Sequence, residues 1–391
     1  MKKIILKSKR DASVRRRHPW IFSGGVKEAL GGPVNGDLVE VFNNKHEFLA
    51  SGHYQRGSIM VRIISFEEET IDDSFWVRRL KNALDYRQTA GIIDVEHTNC
   101  FRLIHAEGDG LPGLIIDIYG DTAVVQCHSI GMYQSLSGIA QAIEQTLGDR
   151  IQHIYNKSKE TLFGDAQKKI DNSFLKGTAT EGSIQEHDLQ FLVNWEEGQK
   201  TGFFLDQRDN RALLKTFAAD KKILNAFCYT GGFSVYGLAG GAKQVDSVDI
   251  SAKAMELTDK NVALNGFGPK HRSFTADVMQ FLKDADEDYD IMVVDPPAFA
   301  KSLKKRHNAV QGYKRLNALA MQKIKSGGIL FTFSCSQVVS AQLFQDTMVA
   351  AALEAGRQVR IMHRLSQPSD HPVSLFHPEG SYLKGLVLQV L

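Results

Sequence analysis

Apolar and polar positions alternate in three different rhythms along the chain. Residues 1–68 carry short runs of period two, broken by glycines: HPWIFSGGV, GDLVEVFN, EFLASGHY and SIMVRIISF. Runs this short, with turns this close, predict a small β-barrel-like domain. The rhythm then changes to helix in EEETIDDSFWVRRLKNALDYRQTAG, where Phe75, Leu80 and Leu84 share a face and Gly91 is the stop. Strand-like FRLIHAE, LIIDIYG and TAVVQCHS, a helix near 132–146 and the strand IQHIYNKS complete a central α+β piece, residues 69–185. Between its strands, AEGDGLPG is turn chemistry.

From residue 186 to 391, strands and helices alternate after strand-like LQFLVNW and the run GQKTGFFLDQRDNRALLKTF. KKILNAF, QVDSVDI, HRSFTAD, YDIMVVDPP and GGILFTFS read as strands, each followed by a helical segment. QVRIMHRL and SYLKGLVLQVL close the series as strands. Ser251 caps the best-defined helix, and Asn265-Gly266 ends it. Such alternation implies a doubly wound parallel sheet, which binds ligands at the carboxyl ends of its strands. Those ends carry every motif discussed next.

The cofactor motif begins with LNAFCYTGGFSV, residues 224–235, a buried strand running through two glycines into a helix. Gly231 and Gly232 are adjacent and the next glycine is Gly237, so the fuller glycine set of a dinucleotide site is absent. This disfavours an oxidoreductase. Phe227, Thr230 and Gly231 lie in the turn, and eighteen residues past Gly231 the next strand ends in Asp249, placed to accept from ribose hydroxyls. A third strand ends in Asp277, suited to an adenine amino group, and a fourth in Asp295-Pro296-Pro297. Both Asp249 and Asp277 precede helices, so a capping role competes with ligand binding for each. Taken together, three strand-end acids favour S-adenosyl-L-methionine, whose sulfonium is cationic and which lacks phosphate. Cys228, in the same turn, reads as a small buried filler.

The strand GILFTFSCSQ delivers Cys335 between two serines. A lone thiol here is either inert core or a nucleophile. Beside Asp295 and an adenosine-type site it reads as a nucleophile. Thiolate addition to C6 of a pyrimidine makes C5 nucleophilic enough to take a methyl group from a sulfonium. That role needs a lowered thiol pKa, for which the helix beginning near Ser340 is a candidate. A competing enzyme reading is methylation of an exocyclic amino group through DPPAF, although Phe299 arrives one residue late, after Ala298. A third is a non-catalytic RNA-binding, ribosome-assembly protein.

Composition is that of a globular protein, 43% hydrophobic and 24% charged, with a net charge of +2. The charge is uneven: residues 1–27 hold nine Lys/Arg against the single Asp11. Arg15, Arg16 and Arg17 are candidate phosphate ligands, while Trp20 and Phe22 are expected in the barrel core. Lys301, Lys304, Lys305 and Arg306 follow DPPAF as a second basic cluster. Four scattered cysteines and thirteen histidines show no metal-ligand spacing, so no metal is expected. With no apolar run long enough for a signal peptide or a membrane span, a reducing cytoplasm fits best.

RRRHPWIFSGGV with the glycine-broken strands resembles a PUA domain, an RNA-binding pseudo-barrel. AEGDGLPGLIID, QKTGFFLDQRDNR, FCYTGGFSV, VDPPAF, FTFSCS and HPEGSYLKG together resemble the bacterial ribosomal RNA large-subunit methyltransferase I family. The resemblance implies three domains: PUA at 1–68, a central α+β domain at 69–185, and a class I, Rossmann-like, seven-stranded methyltransferase domain at 186–391. It also implies 5-methylcytosine formation in 23S ribosomal RNA, naked or in an assembling subunit, with Cys335 as nucleophile. Asp295 would then hold the base or cofactor, and Phe227, Gly231, Asp249 and Asp277 would line the cofactor. Relatives in other cytosine-C5 families carry a cysteine directly after the two prolines; Ala298 stands there in this chain. The oligomeric state is left open, a homodimer included.

Overall fold

The short N-terminal runs form a six-stranded sheet. The computed structural model describes residues 2–93, 96–162, 170–285, 288–300 and 302–391. The strands are β1 (Lys3–Leu6), β2 (Trp20–Phe22), β3 (Val26–Leu30), β4 (Leu38–Phe42), β5 (Phe48–Tyr54) and β6 (Ile59–Ser65), in the order β2-β6-β5-β4-β1-β3. Val39 and Val41 on β4, and Val61 and Ile63 on β6, point into one core with Ile4 and Leu6. One expectation fails here. Ile21 is buried, whereas Trp20 is half-buried and Phe22 is 49% exposed. Ile21 takes the core-facing place of this short strand, and the ladder to the strand Ile59–Ser65 shifts register between Ile21 and Phe22, which leaves Phe22 exposed. The mostly exposed β3, of sequence VKEAL, gave no alternation to read.

The predicted helix spans Asp73–Thr89, with the Asp72 carboxylate accepting from Phe75 N at 3.1 Å and Gly91 beyond its end at φ +71°. Phe75 and Leu80 are buried, and Leu84 packs against them from a half-buried position. A second sheet follows: β7 (Cys100–His105), β8 (Leu114–Tyr119), β9 (Thr122–Cys127), β10 (His153–Asn156) and β11 (Ser173–Lys176), ordered β11-β10-β9-β8-β7. The helix expected near 132–146 is two, Ile130–Gln134 and Leu136–Leu147, broken at Ser135. β12 (Glu181–Glu186) and β13 (Leu189–Asn194) form a two-stranded sheet.

The remaining strands make the doubly wound sheet: β14 (Lys222–Ala226), β15 (Gln244–Asp249), β16 (His271–Thr275), β17 (Tyr289–Val294), β18 (Ile324–Ser334), β19 (Val359–Leu365) and β20 (Lys384–Val390). Their order is β16-β15-β14-β17-β18-β20-β19. β14 to β18 run parallel, and β20 is antiparallel to both its neighbours. Two consequences position the site. The order of the strands reverses between β14 and β17, the switch point at which sheets of this kind bind ligands beyond the strands' carboxyl ends. Because β20 runs backwards, its first residue pairs with the last residue of β18, Lys384 opposite Ser334. Apolar residues of β14, β17 and β18, such as Leu224, Met292 and Leu330, are fully buried, as expected for strands covered on both faces.

The chain divides into two compact units. The first holds Met1–Gln185, Val193–Leu205 and Ser369–Gly380; the second holds Glu186–Leu192, Asp206–Pro368 and Ser381–Leu391. Among the described residues, no helix is long and apolar enough to cross a membrane.

Candidate active site

In sheet order, the carboxyl ends of β16, β15, β14, β17 and β18 deliver Asp277, Asp249, the turn Phe227–Gly231, Asp295 and Cys335. At ~4.8 Å per strand, Asp277 and Cys335 are about 19 Å apart along the edge. An adenosyl group with an amino-acid tail fits that span.

The turn after β14 is held by side chains from two neighbouring elements. Phe227 and Tyr229 adopt positive φ angles of 60° and 48°, and Gly231 sits at 76°. A Cβ at Gly231 would lie 2.6 Å from Thr258 Cγ2, so glycine is required there on two counts. Asp249 Oδ2 accepts from Tyr229 N at 3.1 Å, and its Oδ1 accepts from Ser251 N at 2.9 Å. Thr258 Oγ1 donates to Tyr229 O at 2.8 Å, and Asn261 Nδ2 donates to Thr230 O at 2.9 Å. Thr230 and Gly231 are buried, while Phe227 and Asp249 are half-buried. Asp277 is exposed and caps the helix Val278–Asp284, its Oδ1 accepting from Gln280 N at 2.9 Å. Cys228 is filler as expected: it is buried, its sulfur lies 3.4 Å from Met255 Sδ, and burial pushes its thiol pKa up.

The other half of the site is electrostatically unsettled. Asp295 accepts from Gln207 Nε2 at 2.9 Å. Burial, and then the neighbouring Asp206, push its carboxyl up to about 7, against the pull of Gln207 and Arg211. Pro296 beside it is buried. Cys335 is half-exposed and its flanking serines are buried. Ser336 Oγ donates to Ala300 O at 3.2 Å, which ties the thiol's loop to the segment following Asp295. Burial, Asp295 and Asp206 push the thiol up to about 11, while Lys384 pulls it down. The expectation of a lowered thiol pKa is therefore not met, and the cation that acts on the thiol is Lys384. Lys384 Nζ donates to Ser336 O at 2.7 Å and to Tyr382 O at 2.6 Å, and burial lowers its pKa to about 8.

Sequence reasoning missed Asp206, Gln207, Tyr382 and Lys384. Tyr382 OH donates to Asp206 Oδ2 at 2.6 Å, so these residues, from TGFFLDQR and GSYLKG, meet at Asp295 and Cys335. The readable signal was a lysine opening an otherwise apolar strand, KGLVLQV, since a buried lysine without a task is rare. Phe299 is 37% exposed, with its ring 4.6 Å from that of Tyr313 and against Gly312.

Among the candidate RNA-facing residues, Arg15, Arg16 and Arg17 are all exposed. Arg15 pairs with Asp11 at 2.7 Å and Glu47 at 3.1 Å, and Arg17 with Glu67 at 3.7 Å, which offsets part of their charge. Lys304 is exposed in the short turn Leu303–Lys305, as is Lys305, and Arg306 opens the helix Arg306–Lys323; Lys301 lies outside the described residues. Trp20 Nε1 donates to Glu107 Oε1 at 2.9 Å, and its ring packs edge-on to His377 at 4.5 Å. His18, His377 and Glu379 bring three donor atoms within 4.8 Å, a cluster that sequence spacing hid. His18 Nδ1 accepts from Trp20 N at 3.1 Å, and its Nε2 lies 3.8 Å from Glu379 Oε1.

The acids at the strand ends and the single glycine turn suit a cationic, phosphate-free nucleoside. Comparison with known proteins agrees. The family described as S-adenosylmethionine-dependent methyltransferase matches residues 163–386, and the PUA-like domain family matches residues 4–66. Curated relatives called ribosomal RNA large subunit methyltransferase I come from Alteromonas mediterranea (42% identity) and Klebsiella pneumoniae (37%). The alignments cover 99% and 100% of this chain, respectively, and 98% of each relative. A putative SAM-dependent methyltransferase from Streptococcus mutans shares the fold over the full length of both chains, with a TM-score of 0.84 at 22% identity. A putative methyltransferase solved as a complex with SAH matches equally, at 0.85. The cofactor is S-adenosylmethionine, and the chain belongs to the ribosomal RNA large subunit methyltransferase I family.

Proposed function

We propose that this protein methylates C5 of a cytosine in large-subunit (23S) ribosomal RNA through a covalent bond between Cys335 and C6 of the base. The observation that carries the reading is a half-exposed thiol beside a buried lysine and a carboxyl group held near neutrality, at the edge that receives the cofactor. Bound S-adenosylmethionine supplies an electrophilic methyl group. Phe227, Thr230, Gly231, Asp249 and Asp277 would hold its adenosine, and Asp295 and Pro296 would flank its reactive end.

The chemistry assigns each group a task. The Cys335 thiol gives its proton to solvent, Lys384 would stabilise the resulting thiolate, and the sulfur adds to C6. Asp295, protonated below about 7, donates to N3 and draws electron density from C6 as the bond forms. C5 takes the methyl group as its bond to the sulfonium breaks and the neutral thioether departs; a base then removes the C5 proton, N3 returns its proton to Asp295, and the C6–S bond breaks to release the thiolate. Ala298 in place of a second cysteine leaves Cys335 as the single thiol of this corner.

Phe299 arriving one residue late, after Ala298, speaks against amino-group methylation, which stacks the flipped base on an aromatic ring directly after the two prolines. Arg15, Arg16, Arg17, Lys301 and Lys304 would meet RNA phosphates, with naked RNA or an assembling subunit in the cytoplasm as the substrate. Incubating unmodified large-subunit rRNA with the protein and labelled cofactor, followed by nucleoside mass spectrometry, tests the reading. The label should appear in 5-methylcytidine. Label on N4 would overturn it.

A further inference from the structure

Asp206 is the titratable group of the reacting corner to which the covalent scheme gives no task. Its Oδ2 accepts from Tyr382 OH at 2.6 Å. Its Oδ1 is buried and has no hydrogen-bond partner among the described residues. The neighbouring Gln207 is fixed at both ends, donating to Asp295 Oδ2 at 2.9 Å and accepting from Asn210 Nδ2 at 2.6 Å. Asn210 itself donates to Ser366 O at 3.3 Å. Asp206 is therefore presented by a braced turn, close enough to Asp295 and Cys335 to act on both electrostatically. A buried carboxylate oxygen left unpaired in so ordered a setting calls for a donor from the ligand.

Resting on the cytosine-C5 reading, we propose that Asp206 selects cytosine over uracil by accepting from the exocyclic N4 amino group while Asp295 donates to N3. Two carboxyl groups this close do not both ionise readily, so the pair offers one acceptor and one donor. Cytosine presents the complement, an N4 donor beside an N3 acceptor. Uracil presents the reverse, an O4 acceptor beside an N3–H donor, and sets lone pair against lone pair at Asp206 Oδ1. Tyr382 decides which oxygen faces the base, because it engages Oδ2.

The test uses RNA fragments spanning the mapped target, with cytosine, uracil or the 4-unsubstituted pyrimidin-2-one at the methylated position. The native protein should lose roughly 100-fold in kcat/KM on the pyrimidin-2-one, which lacks only the N4 group; this needs no variant. In Asp206→Asn the amide NH2 takes the Oδ1 place, so the cytosine-to-uracil preference should fall by about 100-fold or more. S-adenosylmethionine affinity should stay within about twofold, since only base recognition changes. Two results would overturn the assignment: an unchanged preference, or a loss of cofactor affinity equal to the loss of activity. If the native protein makes no 5-methylcytidine, both readings fall. If it does and the preference is unmoved, only the role of Asp206 falls.

Discussion

The two halves of the site solve opposite problems. At the turn after β14, every side chain that braces the backbone is matched: Asp249 uses both oxygens on backbone N–H groups, and Thr258 and Asn261 hold two carbonyls. At the ends of β17 and β18, the groups are kept off their ordinary values. Asp295 and Cys335 are raised, Lys384 is lowered, and one oxygen of Asp206 is unmatched. A cradle binds best when it is already in shape, since ordering it on binding subtracts from affinity. A reacting corner works by holding groups whose charge states change along the reaction. Changes in the first half should therefore move cofactor affinity and leave thiol reactivity alone; changes in the second should do the reverse.

Cys335→Ala gives the largest separation. Methyl transfer should fall by roughly 10³-fold or more, while the calorimetric affinity for S-adenosylmethionine is retained. Gly231→Ala attacks the other half. An alanine at φ +76° whose Cβ meets Thr258 at 2.6 Å must displace the side chain holding Tyr229 O. Cofactor affinity should weaken about tenfold or more, with a lower melting temperature. Alkylation of Cys335 by iodoacetamide in that variant should proceed at the native rate.

Lys384→Met comes next. Without its cation the thiol loses the group that pulls its pKa down, so alkylation near pH 8 should slow roughly tenfold and its pH profile should move upward. Lys384→Arg should restore part of the rate. An alkylation profile that ignores position 384 would break the contrast between the two halves.

The smallest effect concerns stability. Asp295 is raised from 3.8 to about 7, so the folded protein binds its proton more tightly than the unfolded chain. Its contribution is complete below about pH 4 and is lost as pH rises through about 7. Asp295→Asn should therefore melt higher than the native protein at pH 8, by about 2–4 °C, and the gap should close towards pH 4. The half-buried position of the residue keeps this effect small.

Legibility in the sequence follows the same division. The turn after β14 could be read because its logic is local: a strand, a glycine turn, and an acid after each of the next three strands. β14 to β18 and the helix capped by Ser251 fell where periodicity placed them. Cys335 could be read for the same reason, as a strand end. The partners that tune it could not. Lys384 reaches Ser336 from 48 residues away, and Tyr382 reaches Asp206 across 176. What joins them is the reversed direction of β20, a fact of topology that spacing does not encode. Trp20 and Phe22 were misplaced through composition, because aromatic residues suggest a core, while Ile21 takes the core-facing place between them. The exposed strands β3 and β11 gave too little apolar contrast to be recognised.

The central claim is the covalent bond at Cys335. RNA carrying 5-fluorocytidine at the target offers the most direct test, since fluorine leaves no C5 proton to remove and the methylated adduct cannot resolve. After reaction with S-adenosylmethionine and digestion, mass spectrometry should find the methylated fluorocytidine attached to the peptide containing Cys335. Methylated RNA with Cys335 unmodified, or an adduct on another residue, would contradict the account.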